Sequence, residues 1–401
     1  MPDAARIAAR LEMLWQIRRT PGGGADRPAY SPAEAEAMLL VAGWAREAGL
    51  EPGRDAYGNL WALPASWDGA LVSSGSHVDT VPDGGRYDGA LGTVLGLELA
   101  HDLRAGTAGG ARPALLVCAA EEAPRFGAGT IGSRLLAGTL APEALADLRD
   151  RDGVSVAEAL AGHRMRLAEL PACEPPLARL RAHAEIHVAQ RRALRQLGVV
   201  TRVATPRRLE IEVQGQAGHA GEVSMEDRRD ALAAAAEIVL AIEFAGRAEP
   251  PETVATVGTI AVAPGAVSVI PAYARLLVDA RGISAHSVDR LEAAIRSVVA
   301  EIASRRGVEA AIRRLRGGDP TVLDAGLAAA ALESARALGI PATETWSGAG
   351  HDAQHLSTLT PTMLVFVPLE GGESHTPDEG ADEQDIINAA RITGAVLGVT
   401  S

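Results

Sequence analysis

The chain has 401 residues, 47% of them apolar, and a formal net charge of −13. That length can bury the cores of two domains, and the acidic balance argues against nucleic acid or an anionic membrane as the main partner. Every basic residue is an arginine, which excludes a lysine Schiff base and a lysine-bearing phosphate loop.

The N-terminus, M-P-D-A-A-R-I-A-A-R-L-E-M-L-W, mixes charges into a helical pattern and lacks the unbroken apolar stretch of a leader. No run approaches the roughly 20 apolar residues of a membrane span. The two cysteines, Cys118 and Cys173, cannot build a disulfide framework. A soluble, cytoplasmic setting is the expectation. Residues 70–74 and 113–120 read as buried strands, and residues 91–103 as a helix packed on their sheet. Both strands end where polar, glycine-rich phrases begin, which is where sites lie in open α/β sheets. Between 206 and 316 the rhythm changes to a strand (209–213), a helix (227–245), two strands (253–262 and 274–279) and a helix (287–305). A helix at 325–338 and a buried strand at 362–367 then resume the first pattern. The expected architecture is α/β: a mixed-sheet catalytic domain in two parts, 1–205 and 317–401, carrying a smaller α+β lid at 206–316.

Imidazoles and carboxylates recur in turn-rich phrases: S-G-S-H-V-D-T, R-Y-D-G-A, A-E-E-A-P-R-F-G, A-E-I-H-V-A-Q and E-S-H-T-P-D-E. They place His77, Asp88, Glu122, His187 and His375 as candidate ligands for two divalent ions sharing one carboxylate. Asp79, two residues after His77, is the candidate partner for its second ring nitrogen. Adjacent Glu121 and Glu122 repel unless offset. Either they begin a solvated helix, or one ligates while the other serves as general base. His187 read alone is better taken as a structural strand histidine. A turn as acidic as that around His375 needs a cation or strong solvation. His219, in G-Q-A-G-H-A-G, is an exposed loop imidazole. Arg281, in V-D-A-R, presents a fork for a substrate carboxylate or for a salt bridge to Asp279. His101, His163, His183, His286 and His355 read as structural.

These phrases, with S-G-A-G-H-D-A, resemble the metal-dependent amidohydrolases of the M20 clan, and within it the branch of N-carbamoyl-L-amino acid hydrolases, β-ureidopropionase and allantoate amidohydrolase. The likeness runs from about Pro52 to the end. It implies His77, Asp88, Glu122, His187 and His375 as ligands of two divalent ions, zinc or manganese with cobalt and nickel as alternatives, and Asp88 as the bridge. It implies Glu121 as general base and Gln190, His219 and Arg281 as holders of the substrate. Gly350 and His351 would line the site, and a homodimer would form through the lid, with His219 offered to the partner's site. The chain departs from the family at Ala189, Arg191, Arg192 and Arg195, which replace an acid, a glycine, a proline and an acid. Ala123 stands for a glycine after the paired glutamates, and Ser268 for an asparagine before V-I-P, shortening one substrate contact.

The expected function is hydrolysis of a linear amide or ureido C–N bond in a small carboxylate-bearing substrate, an N-carbamoyl-L-amino acid or an allantoate-like compound. Water held between the ions would attack, with Glu121 as base and His219 stabilising the oxyanion. An aminoacylase or dipeptidase acting on N-acyl amino acids or a biosynthetic intermediate is the nearest rival. A catalytically silent metal-binding homologue is the other.

Overall fold

The protein's structure, a computed structural model, describes residues 2–102 and 110–398. Leu103, the last residue of the helix expected over 91–103, lies outside them. The chain forms two compact units, one of Met1–Thr201, Val322–Trp346 and Gly350–Ser401, the other of Arg202–Thr321 and Ser347–Ala349.

The first unit is built on a nine-stranded mixed sheet. Four neighbouring parallel strands form its centre, in the order Arg112–Val117, Leu71–Ser74, Leu180–Val188 and Thr362–Val367. Strands Leu60–Pro64 and Leu50–Arg54 continue it on one side, antiparallel. Strand Leu197–Val203 continues it on the other, also antiparallel. The central strands are apolar at successive positions because both faces are covered. Val72, Leu115 and Val117 join one core cluster, and Leu71, Ala114 and Leu116 join another. Parallel pairing requires crossovers. Helix Ala90–Asp102 packs on three of these strands and is apolar nearly all round for that reason.

The second unit is a four-stranded antiparallel sheet, ordered Glu309–Arg316, Arg207–Gln214, Tyr273–Arg281, Val254–Ala263. Helices Ala231–Arg247 and Ala285–Arg306 pack on one face. Leu209, Ile211, Val213, Leu276 and Val278 point to the helices, each worth about 1.5–3 kcal/mol when fully buried. The alternate residues carry a charge lattice, Arg208 with Asp279 and Arg275 and Arg313 with Glu210. The first helix starts at Ala231 rather than 227 because Asp230 caps it, accepting N–H groups of Leu232 and Ala233. Strand Glu309–Arg316 was not expected from its sequence, since its arginines mask the alternation. Among the described residues, no helix is long and apolar enough to cross a membrane.

Candidate metal centre

The carboxyl ends of the four central parallel strands, and the loops that leave them, carry the candidate ligands and base. His77 follows Leu71–Ser74, Glu121 and Glu122 follow Arg112–Val117, His187 closes Leu180–Val188, and His375 follows Thr362–Val367. Asp88 stands just before the crossover helix Ala90–Asp102. Gly89 next to it has φ +65°, and a Cβ there would lie 2.3 Å from the His77 ring. Only glycine lets the helix start so close to that imidazole.

Asp88 is the hub. Its Oδ1 lies 3.1 Å from Nε2 of His187 and 3.7 Å from Nε2 of His77, while Oδ2 lies 3.1 Å from Nε2 of His375. Two ligand triads result, His77–Asp88–His187 and Asp88–Glu122–His375, each with its ligand atoms within 4.8 Å of one another. Gln190 Nε2 reaches Asp88 Oδ2 at 3.3 Å and His375 Nε2 at 3.1 Å. In the structure Gln190 thus touches two of the candidate ligands.

The donor set fits a cation. Nδ1 of His77 faces the Asp79 carbonyl at 3.1 Å and its carboxylate at 3.3 Å, and Nδ1 of His187 faces the Val188 carbonyl at 3.1 Å. Each Nδ1–H donates there, so both Nε2 lone pairs point inward, 3.3 Å apart. Asp88 Oδ1 is buried without a hydrogen bond among the described residues. Two facing lone pairs and an unpaired carboxylate oxygen are stable together only with positive charge between them. Burial pushes the Glu121 carboxyl well above the usual range; His77 pulls against this and Glu122 adds to it. Burial and then Asp88 raise Glu122 to about 7. His375 is raised to about 9, first by its hydrogen bond to Asp88.

The loop bearing the paired glutamates is held by side chains rather than by a sheet partner. Asn59 accepts the Ala119 N–H at 2.9 Å, and Glu34 accepts the Ala120 N–H at 2.7 Å. Asp79 accepts those of Glu121 and Glu122 at 3.2 and 2.9 Å. Ala120 sits at φ +55° within this grip. Asp79 therefore orients both His77 and the glutamate loop. The roles of Glu34 and Asn59 are absent from the sequence reading, because a buried acceptor has no spacing signature. The acidic turn around His375 is also explained differently. Glu379 is buried and accepts backbone N–H groups, whereas Glu373 pairs with Arg192 at the surface.

His351 is buried, its ring edge-on to His187 at 4.6 Å between centroids, and with Glu185 and His187 it forms a third convergent set. Glu185, overlooked in the sequence, accepts Ser76 Oγ at 2.9 Å and the Ala353 N–H at 2.7 Å. Gly350 precedes His351 in the same loop. His183 bonds Ser73 at 2.8 Å, and His355 bonds Thr130 at 3.0 Å.

His219, Ser268 and Arg281 belong to the second unit. His219 pairs with Val269 across a two-residue bridge, and the Ser268 carbonyl accepts the Ala220 N–H at 2.9 Å. The Gly221 N–H donates to His219 Nδ1 at 3.1 Å, which puts the ring proton on Nε2. Arg281 donates from Nε and Nη2 to Asp279, at 2.6 and 3.1 Å, and from Nη1 to the Gly348 carbonyl at 3.1 Å. The salt bridge to Asp279 is thus made, and one N–H remains on each Nη.

The geometry agrees with what the chain resembles. Residues 74–398 match the model of peptidase family M20/M25/M40. An N-carbamoyl-L-amino acid amidohydrolase of Geobacillus stearothermophilus is 35% identical over 98% of this chain and 97% of its own. The allantoate amidohydrolase of Bacillus subtilis is 32% identical over 93% of this chain and 92% of its own. The crystal structure of an amidase of the hydantoinase/carbamoylase family from Burkholderia multivorans superposes with a TM-score of 0.84, at 32% identity over 98% of this chain and 97% of the other. Clustered ligands at the ends of parallel strands and a match over most of the length lead to one conclusion: the chain belongs to peptidase family M20/M25/M40 and is a metal-dependent hydrolase.

Proposed function

We propose that the protein binds two divalent ions and hydrolyses the ureido or linear amide C–N bond of a small carboxylate-bearing substrate, an N-carbamoyl-L-amino acid or an allantoate-like compound. The observation that carries the proposal is Asp88 shared between two triads, with Glu121 beside one of them. His77, Asp88 and His187 would hold one ion, and Asp88, Glu122 and His375 the other. Zinc or manganese suits these ligands, with cobalt and nickel as alternatives. When bound, the ions supply water activation and polarisation of the substrate carbonyl.

Glu121 is partly buried at the rim of the cluster, where a carboxyl with raised proton affinity accepts a proton from the attacking water and returns it to the departing nitrogen. His219, with its proton on Nε2, donates to the carbonyl oxygen as negative charge develops there, a contribution of about 2.7–4 kcal/mol for a well-aimed donor. Arg281, aligned by Asp279, offers its two remaining N–H groups to the substrate carboxylate. Gln190, Ser268, Gly350 and His351 complete the proposed substrate contacts.

A homodimer through the second unit is part of this reading. Strand Val254–Ala263 is an edge strand without a charged residue, exposed along most of its length. On the adjacent helix, Leu232, Ala236, Leu240 and Phe244 recur at every fourth position on the exposed side, with Phe244 76% exposed. An uncharged edge beside an apolar stripe favours association with a second copy. A cytoplasmic setting is kept on the strength of the two free cysteines.

The deciding experiment loads the purified protein with zinc or manganese and assays ammonia release from N-carbamoyl-L-amino acids and allantoate. Release that vanishes in Glu121→Ala supports the proposal. No release from the metal-loaded protein overturns the ureido specificity, and N-acyl amino acids and dipeptides then come next.

A further inference from the structure

Glu379 sits between two of the loops that carry ligands. Its Oε2 accepts the N–H groups of Tyr87 and Asp88 at 3.0 and 3.2 Å. Its Oε1 accepts the N–H of His375 at 3.1 Å and lies 3.0 Å from Oγ of Ser374. The same Ser374 hydroxyl stands 3.0 Å from Oδ2 of Asp88. One buried carboxylate therefore ties the backbone of the shared ligand to the backbone of a ligand 287 positions further along the chain.

Two further features show that the site is built around this carboxylate. Gly85 approaches so closely that a Cβ on it would lie 2.0 Å from Cδ of Glu379. His375 has φ +62°, a left-handed conformation that costs a non-glycine residue on the order of 1–3 kcal/mol and persists only where its surroundings impose it. The hydrogen bond from the His375 N–H to Glu379 is one such imposition. Asp79 does the same elsewhere, gripping the N–H groups of Glu121 and Glu122. A ligand turned by its main chain loses its bearing on the ion even when its side chain is intact.

We propose that Glu379 is a positioning residue for the triad Asp88–Glu122–His375: it straps the Asp88 loop to the His375 loop and so sets the spacing at which that triad closes on an ion. The proposal rests on the two-ion reading above. His77 and His187 sit on strand ends that Glu379 does not touch among the described residues, so the triad His77–Asp88–His187 keeps two of its three ligands undisturbed when the strap is cut.

The test is a titration of the metal-stripped full-length chain with Zn²⁺ alone. Ions per chain are counted by elemental analysis, affinities are taken from calorimetry, and folding is monitored by circular dichroism and thermal unfolding. The wild type should take up two ions. Glu379→Ala should remain folded, bind one ion at close to wild-type affinity and bind the other about 10–100-fold more weakly. Glu379→Gln should lie between, since an amide oxygen still accepts while its NH₂ meets another donor. Gly85→Ala is the second variant, needed should Glu379→Ala fail to fold; it displaces the carboxylate without deleting it and should give the same one-sided loss. Two ions bound at wild-type affinity in these variants, or both weakened equally, would overturn the proposal. If the wild type takes up a single ion, the two-ion reading falls, and unchanged affinity for that ion in Glu379→Ala overturns the strap as well.

Discussion

Oε2 of Glu121 lies 3.8 Å from Nε2 of His77, whereas Oε1 of Glu122, the next residue, lies 3.6 Å from Nε2 of His375. Two consecutive carboxylates thus address the two different triads. Such a division is possible because Ala120 turns the chain through a left-handed conformation while Asn59, Glu34 and Asp79 hold the amides of residues 119–122.

Replacing Glu121 with alanine should leave metal content and KM near their wild-type values and lower kcat by about 10²–10⁴-fold, the range of a lost general base. Steady-state kinetics and elemental analysis check this together. Undiminished kcat would remove Glu121 from the mechanism.

Arg281→Ala should raise KM strongly for substrates bearing a carboxylate and leave uncharged amides unaffected. Losing a charged hydrogen-bond partner costs about 1.5–3 kcal/mol, or roughly 10–150-fold in binding. Equal effects on both substrate classes would mean that its pairing with Asp279 and Gly348 is all that Arg281 does.

Leu240→Glu with Phe244→Glu places charge in the exposed stripe of helix Ala231–Arg247. Sedimentation should show a dimeric wild type and a monomeric variant with an unchanged circular dichroism spectrum. A wild type that sediments as a monomer rejects the dimer.

His183 makes folding stability depend on pH. Burial pushes its pKa down to about 3, against an ordinary value near 6.5. The folded chain therefore keeps His183 neutral while the unfolded chain protonates it. Its contribution is complete above about pH 6.5 and is lost as the pH falls from there toward 3, by on the order of 1 kcal/mol per pH unit. Denaturant unfolding of the wild type and His183→Asn between pH 7 and 4 should show the gap between them narrowing as the pH drops. A constant gap would show that His183 titrates alike in both states.

Much of the site is legible in the chain. The apolar runs at 70–74, 113–120 and 362–367 are too short for helices and too continuous for surface strands, so they read as buried strands whose ends expose His77, Glu121 and His375. Those features are local: run length, side-chain branching and backbone freedom act within a few residues. Strand Glu309–Arg316 escaped because cross-strand partners such as Glu210, some hundred residues away, give its arginines their place.

What the sequence by itself determined is the set of ligand-type residues and their position at strand ends. The tertiary structure alone decided which of them meet. Parallel register between Leu180–Val188 and Thr362–Val367 brings His187 and His375 to one end of the sheet, and Asp88 is shared because Glu379 binds its loop to that of His375. A carboxylate in a turn can ligate a metal, cap a helix or accept main-chain N–H groups with the same oxygens. Its composition does not distinguish these fates, and only the donors that folding brings within about 3 Å of it do.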